Sequence, residues 1–186
     1  MAGAAGLRNV GRVELITLGH GRLDRDGLGS LLVGAGVDLL VDVRRYPGSR
    51  ANPDVKREAL EAWLPERGPG YRWDGRLGGR RRLDGDSPDP WWQVGQFRGY
   101  AAHTRTPEFA EAMSELLDEA RGRTVAVMCS ESVWWRCHRR LIADVAVLRY
   151  DVRVEHLMHD GRLREHAVAS GARVGEDGCV YWDGPR

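Results

Sequence analysis

The chain has 186 residues, 42% of them hydrophobic, enough for one domain of ordinary size with its own core. Its 28 basic residues nearly cancel 27 acidic ones, so bulk charge argues for neither nucleic acid nor a membrane surface; no stretch approaches the roughly 20 apolar residues of a membrane span. An odd number of cysteines, three, without a secretory apolar run points to a reducing compartment, the cytoplasm, rather than to a disulfide scaffold.

Residues 1–12 are small, Gly-rich and weakly basic and read as a disordered arm. The single domain is expected over 13–186. Val13 to Leu18 predicts a first strand, turned by Gly19-His20-Gly21. Leu28, Leu31, Leu32 and Ala35 then make the stripe of a helix laid on a sheet, with Gly36 suited to its C-terminal cap. Val37 to Val43 reads as a parallel strand covered on both faces, ending in Asp42-Val43-Arg44, where alternation puts a carboxylate and a guanidinium on one side. Asn52-Pro53 fits an N-cap and first-turn proline for a helix through Val55, Leu60 and Leu64. A short strand follows at Tyr71 to Trp73.

Over 74–105 periodicity gives way to Gly, Arg, Pro and Trp, and this long connection is expected to cover an active site. Thr106-Pro107-Glu108 caps an amphipathic helix with Phe109, Ala112, Met113, Leu116, Leu117 and Ala120 on one stripe. Thr124 to Met128 is a buried strand delivering Cys129, Ser130 and Glu131 into a turn. A helix is expected from Arg136 to Arg149, with Cys137 on its buried side and His138 in its first turn. Val152 to Met158 is one more strand, and 159–186 reads as peripheral C-terminal strands. Alternating strands and helices predict an α/β fold: one three-layer Rossmann-like domain with a mainly parallel sheet and a long Arg/Gly/Trp-rich loop insertion.

In such sheets ligands sit beyond the carboxyl ends of the strands, which here gather Cys129, Glu131, His138, His20 and Asp42. Glu131 and Asp42 are candidate acid/base groups, with His138 and His20 supporting; Asp42 with Arg44 reads alternatively as a strand-end ion pair that holds the loop. Cys129 reads equally as a nucleophile or as a packed inert thiol. Arg44, Arg50, Arg80, Arg98 and Arg139 come from separate segments toward one edge, where clustered guanidiniums need an anion, phosphate above all. The nearly exclusive use of arginine (Lys56 is the sole lysine) also fits the codon bias of a GC-rich genome. Tyr100, Trp91 and Trp92 would either stack on a base or pack as a lid. No cofactor fingerprint is present; zinc on Cys129, Cys137, His138 and His20 is a minor alternative, since seven residues between the cysteines match no zinc spacing.

Thr17-Leu18-Gly19-His20, Leu40-Val41-Asp42-Val43-Arg44, Arg50-Ala51-Asn52-Pro53, Leu77-Gly78-Gly79-Arg80, Phe97-Arg98-Gly99-Tyr100 and Met128-Cys129-Ser130-Glu131 with Cys137-His138-Arg139 resemble, in order, the family called domain of unknown function 488 over roughly 13 to 160. The resemblance implies the fold and the site rather than a reaction, and DNA-repair labels on some members add repair or modification of DNA as one option. A looser similarity is to rhodanese-like domains, through Asp-Val-Arg at a strand end and a strand-borne cysteine. The chain departs from them in placing six residues, Val133, Trp134 and Trp135 among them, between Cys129 and Arg136. The leading expectation is therefore a hydrolase or transferase acting on a phosphate-bearing small molecule or nucleic acid. The rivals are a rhodanese- or phosphatase-like thiol enzyme using Cys129, and a non-catalytic nucleotide or nucleic-acid binding module; the sequence leaves the oligomeric state open.

Overall fold

The computed structural model describes residues 13–83 and 85–185, so the expected arm at 1–12 lies outside the described residues. Six strands form one sheet: β1 (Glu14–Gly19), β2 (Leu39–Asp42), β3 (Gly70–Trp73), β4 (Val125–Cys129), β5 (Arg153–Leu157) and β6 (Leu163–Glu165), in the order β3-β2-β4-β1-β5-β6. The first five run parallel and β6 returns antiparallel beside β5. Helices α1 (Arg25–Gly34) and α2 (Arg57–Trp63) cover one face over Ile16, Leu18, Leu40, Ala126 and Met128. Helices α3 (Gly95–His103), α4 (Pro107–Ala120) and α5 (Arg139–Tyr150) cover the other over Leu15, Val41, Val127 and Val154. Alternate residues of each strand thus feed two separate apolar layers, as parallel strands require. The expected three-layer α/β architecture is present.

Local chemistry accounts for the starts of two helices. Asp24 caps α1 by accepting from Gly27 N, and Thr106 caps α4 by accepting from Phe109 N. The predicted helix at Asn52-Pro53 is broken instead: Pro53–Val55 is a 3-10 turn, α2 begins at Arg57, and the Asn52 amide donates to Leu23 O rather than capping. The helix predicted from Arg136 begins at Arg139, after a 3-10 turn at Trp134–Arg136, so Cys137 and His138 precede the helix. The 74–105 connection is also less irregular than expected, because α3 occupies its second half.

The last strands, β7 (Ala172–Val174) and β8 (Val180–Trp182), make a separate antiparallel pair. They are tied inward all the same. Trp182 is fully buried, and its indole donates to Asp144 Oδ2 at 2.8 Å. Asp144 also accepts from Ala169 N (3.1 Å) and pairs with His166 Nε2 (2.7 Å); His166 Nδ1 meets His156 Nε2 (2.9 Å), and His156 Nδ1 meets Thr17 Oγ1 (2.7 Å). This buried chain joins α5, β5, β1 and the C-terminal segment.

Candidate active site

Strand register sets the site. Gly19 of β1 lies opposite Cys129 of β4, and Asp42 of β2 opposite Met128, so His20, Val43-Arg44 and Ser130-Glu131 leave the sheet along one edge. A Cβ on Gly19 would stand 1.7 Å from Glu131 O, so glycine is what lets the loop after Cys129 cross that strand end. Above this edge lies a cavity of about 390 Å³ lined by Cys129, Ser130, Glu131, Arg136, Cys137 and His138 from the β4–α5 loop. Arg44, Arg45 and Tyr46 line it after β2, Gly79 and Arg80 from the long connection, and Gln96, Phe97 and Tyr100 from α3.

At its floor, Cys129 and Arg139 are 1% and 2% exposed. One guanidinium nitrogen, Nη1, donates to Cys129 Sγ at 2.5 Å and to Glu131 O, while Nη2 donates to Ser132 O at 2.9 Å. Among the described residues no carboxylate lies within 4.0 Å of Arg139. A buried cation needs a compensating charge, and Cys129 is the adjacent group able to carry one. Burial opposes ionisation of this thiol, but the hydrogen bond from Cys137 and the Arg139 guanidinium outweigh it and bring Cys129 down from 9.0 to about 7. The Cys137 Sγ lies 2.7 Å away, and burial together with that neighbour pushes its own thiol well up.

His138 Nδ1 is 3.6 Å from Cys137 Sγ, and its Nε2 is a buried atom without a hydrogen-bond partner. Burial, then the Arg139 and Arg81 charges, hold this imidazole down at about 3 against an opposing contribution from the Val43 backbone. It is a neutral base at physiological pH. The rim is cationic: Arg45, Arg80 and Arg136 have no carboxylate within 4.0 Å among the described residues. Arg45 instead donates to Arg80 O and lies over the Tyr46 ring, which is 62% exposed. Glu131 is exposed on the wall and, among the described residues, supplies the one carboxylate of the lining.

Several expected site groups are occupied elsewhere. Asp42 is fully buried and accepts from Arg44 N, Nε and Nη2 and from the Tyr71 hydroxyl, which leaves no lone pair facing a substrate. Arg44 reaches the cavity wall, but its guanidinium is spent on Asp42, Val55 O and His20, so it is a scaffold cation and not a free clamp. His20 is outside the lining. Its Nδ1 contacts Gly21 O and its Nε2 lies 3.3 Å from Arg44 Nη1, and burial followed by the Arg44 charge lowers it to about 4.

Arg50 is exposed and outside the lining, and Arg98 donates to Trp92 O. Trp91 and Trp92 are outside it too: Trp92 is buried against Phe97 and Trp182, and both rings sit beside the Arg140 guanidinium, so they pack the core beneath α3 instead of offering a stacking platform. Tyr100 lines the cavity with its hydroxyl donated to Leu77 O. Cys129, Glu131, His138, Arg80 and Tyr100 are therefore brought together around the cavity, with Arg139 beneath it.

Sequence reading missed Arg45 and Arg136, and brought Cys137 near Cys129 only in the minor zinc alternative. The first two are adjacent to motif residues, Arg45 to Arg44 and Arg136 to Cys137, and that adjacency is the signal that could have found them. Cys137 was placed on a helix face that begins two residues later. Among the described residues no three His, Cys, Asp or Glu side chains converge as a metal-holding group, and His20 is turned to Arg44 rather than to the cysteines. No helix among them is long and apolar enough to cross a membrane.

A sequence model described as "Domain of unknown function DUF488" matches residues 26–146, well over half of the chain. No curated protein and no solved structure matches it.

Proposed function

The chain belongs to the DUF488 family, whose description carries no activity, and from the cavity we propose an enzyme that uses the Cys129 thiolate as nucleophile on a phosphate-bearing ligand. The observation that carries this reading is the buried Arg139 guanidinium with the Cys129 sulfur as its ionisable neighbour at the cavity floor. The rim arginines Arg45, Arg80 and Arg136, which have no carboxylate within 4.0 Å among the described residues, suit the anionic group, each as a planar fork for phosphate oxygens. Thiolate attack on phosphorus expels the leaving group and forms a phosphocysteine; water deprotonated by Glu131 then releases phosphate and restores the thiolate. A hydrolase follows if water is the acceptor and a transferase if another hydroxyl is. Three free thiols suit a reducing compartment, and we place the protein in the cytoplasm.

The test is turnover of p-nitrophenyl phosphate and of nucleoside monophosphates, with isothermal titration of inorganic phosphate. The reading expects measurable turnover abolished by Cys129→Ser, and phosphate binding weakened by Arg80→Ala and Arg136→Ala. Full turnover in Cys129→Ser would refute the nucleophile. A second reading, a non-catalytic nucleotide or nucleic-acid module, is favoured by exposed Tyr46 beside Arg45 and by Trp135, 47% exposed next to Arg136. It expects binding to single-stranded DNA or RNA that weakens steeply with salt, and no turnover.

A further inference from the structure

We propose that Cys129 and Cys137 form a dithiol redox pair in which Cys129 reduces a small hydroperoxide and Cys137 resolves the oxidised sulfur into an intramolecular disulfide. The inference rests on the reading of Cys129 as a thiolate, and it adds a two-electron activity to the same cavity. Its basis is geometric. The two Sγ atoms are 2.7 Å apart, and a disulfide forms at about 2.05 Å, so closure needs a shift of well under 1 Å. Cys129 is fixed at the end of β4, whereas Cys137 sits in extended backbone (φ −122°, ψ 149°) between a 3-10 turn and α5, where a small adjustment breaks no helix. Both line the cavity, while Cys179 is outside it.

The neighbouring groups supply each step. The Cys129 thiolate, held by Arg139 Nη1, attacks one peroxide oxygen; the O–O bond breaks, and the distal oxygen leaves as hydroxide or alkoxide and takes a proton from water. Cys129 is then a sulfenic acid. The Cys137 sulfur attacks the Cys129 sulfur, an S–S bond forms and the S–O bond breaks, and the departing hydroxide takes the Cys137 proton and leaves as water. The two sulfurs lose two electrons and the peroxide gains them. An external thiol reduces the disulfide again.

The test uses full-length Cys179→Ser protein, which keeps both cavity thiols. One equivalent of hydrogen peroxide should remove both thiols together, give a mapped Cys129–Cys137 disulfide and leave no dimedone adduct. With Cys137→Ser added, a dimedone-trapped sulfenic acid should persist at Cys129; with Cys129→Ser instead, Cys137 should stay reduced. A Cys129 that accumulates as a dimedone adduct while Cys137 remains free overturns the proposal, and so does a thiol pair left intact by peroxide. If Cys129 ionises near neutral pH in that protein, the nucleophile reading survives such a failure; if it does not, both fall. Disulfide mapping needs no cavity substitution, so the test holds even if Cys137→Ser fails to fold.

Discussion

Replacing Asp144 tests how the loop bearing the site is anchored. Its carboxylate is fully buried and accepts from three donors, His166 Nε2, Ala169 N and Trp182 Nε1. Because the indole and the amide can only donate, their direction is fixed. Outward from the carboxylate, each imidazole then donates one N–H and accepts with its other nitrogen, ending on the Thr17 hydroxyl. Asp144→Ala strands three buried donors, and at about 1–3 kcal/mol for each unsatisfied group, softened by relaxation, the loss should be about 3–6 kcal/mol. Asp144→Asn keeps one acceptor oxygen. If that oxygen serves Trp182, the imidazoles can reverse their tautomers and accept from the new NH2, which strands only Ala169 N and costs about 1–3 kcal/mol. Urea denaturation of the three proteins gives the differences, and nitrogen chemical shifts of His156 and His166 report the reversal. The site feels the change too, since Trp134 of the cavity loop stacks on His156 at 4.1 Å. A loss below about 1 kcal/mol in Asp144→Ala would refute the donor accounting.

Gly19→Ala drives a methyl into Glu131 O and toward Arg139 Nη1 and should cost about 1–3 kcal/mol by denaturant titration, whereas Gly122→Ala, with nothing within 4 Å, should be neutral. Arg44→Ala leaves Asp42 buried without its cation and should destabilise by about 3–5 kcal/mol, while Arg80→Ala should stay within about 0.5 kcal/mol of wild type and act on phosphate affinity alone. Acid should unfold the protein through its buried histidines. His20, His138 and His156 are held at about 4, 3 and 3, below the ordinary 6.5, chiefly by burial. The unfolded chain therefore gains protons that the folded chain refuses: stability is full above pH 6.5, falls as pH drops below it, and levels only near the folded values. At up to about 1.4 kcal/mol per pH unit for each histidine, the step from pH 6 to pH 5 should remove about 3–4 kcal/mol, and a flat profile there would contradict their neutrality.

The architecture was legible because its signals are local and periodic: the α4 stripe from Phe109 to Ala120 and the continuous apolar runs of β2 and β4 each declare a buried surface. The edge where the site lies followed from the parallel topology. Partnerships at that edge did not follow, since they depend on which long side chain reaches which neighbour. Asp42 and Arg44 read either as a strand-end ion pair or as an acid and a clamp; the ion pair forms, and Tyr71 and Val55 O, 29 and 11 residues away, close around it in a way alternation alone does not show. Trp91 and Trp92 looked like a lid because the sequence around them lacks periodicity; their burial depends on β8, remote in the chain. The 3-10 turn that delays α5 gave no periodic signal, and with it went the contact between Cys129 and Cys137.

The central claim is that Cys129 is an ionised nucleophile sustained by a buried guanidinium. Its most direct test is the pH dependence of thiolate absorbance and of Cys129 alkylation in Cys179→Ser protein, repeated with Arg139→Met. The account predicts a midpoint near 7 that rises when the guanidinium is removed. A midpoint at or above 9.0 in the parent protein, or one indifferent to Arg139, would contradict it.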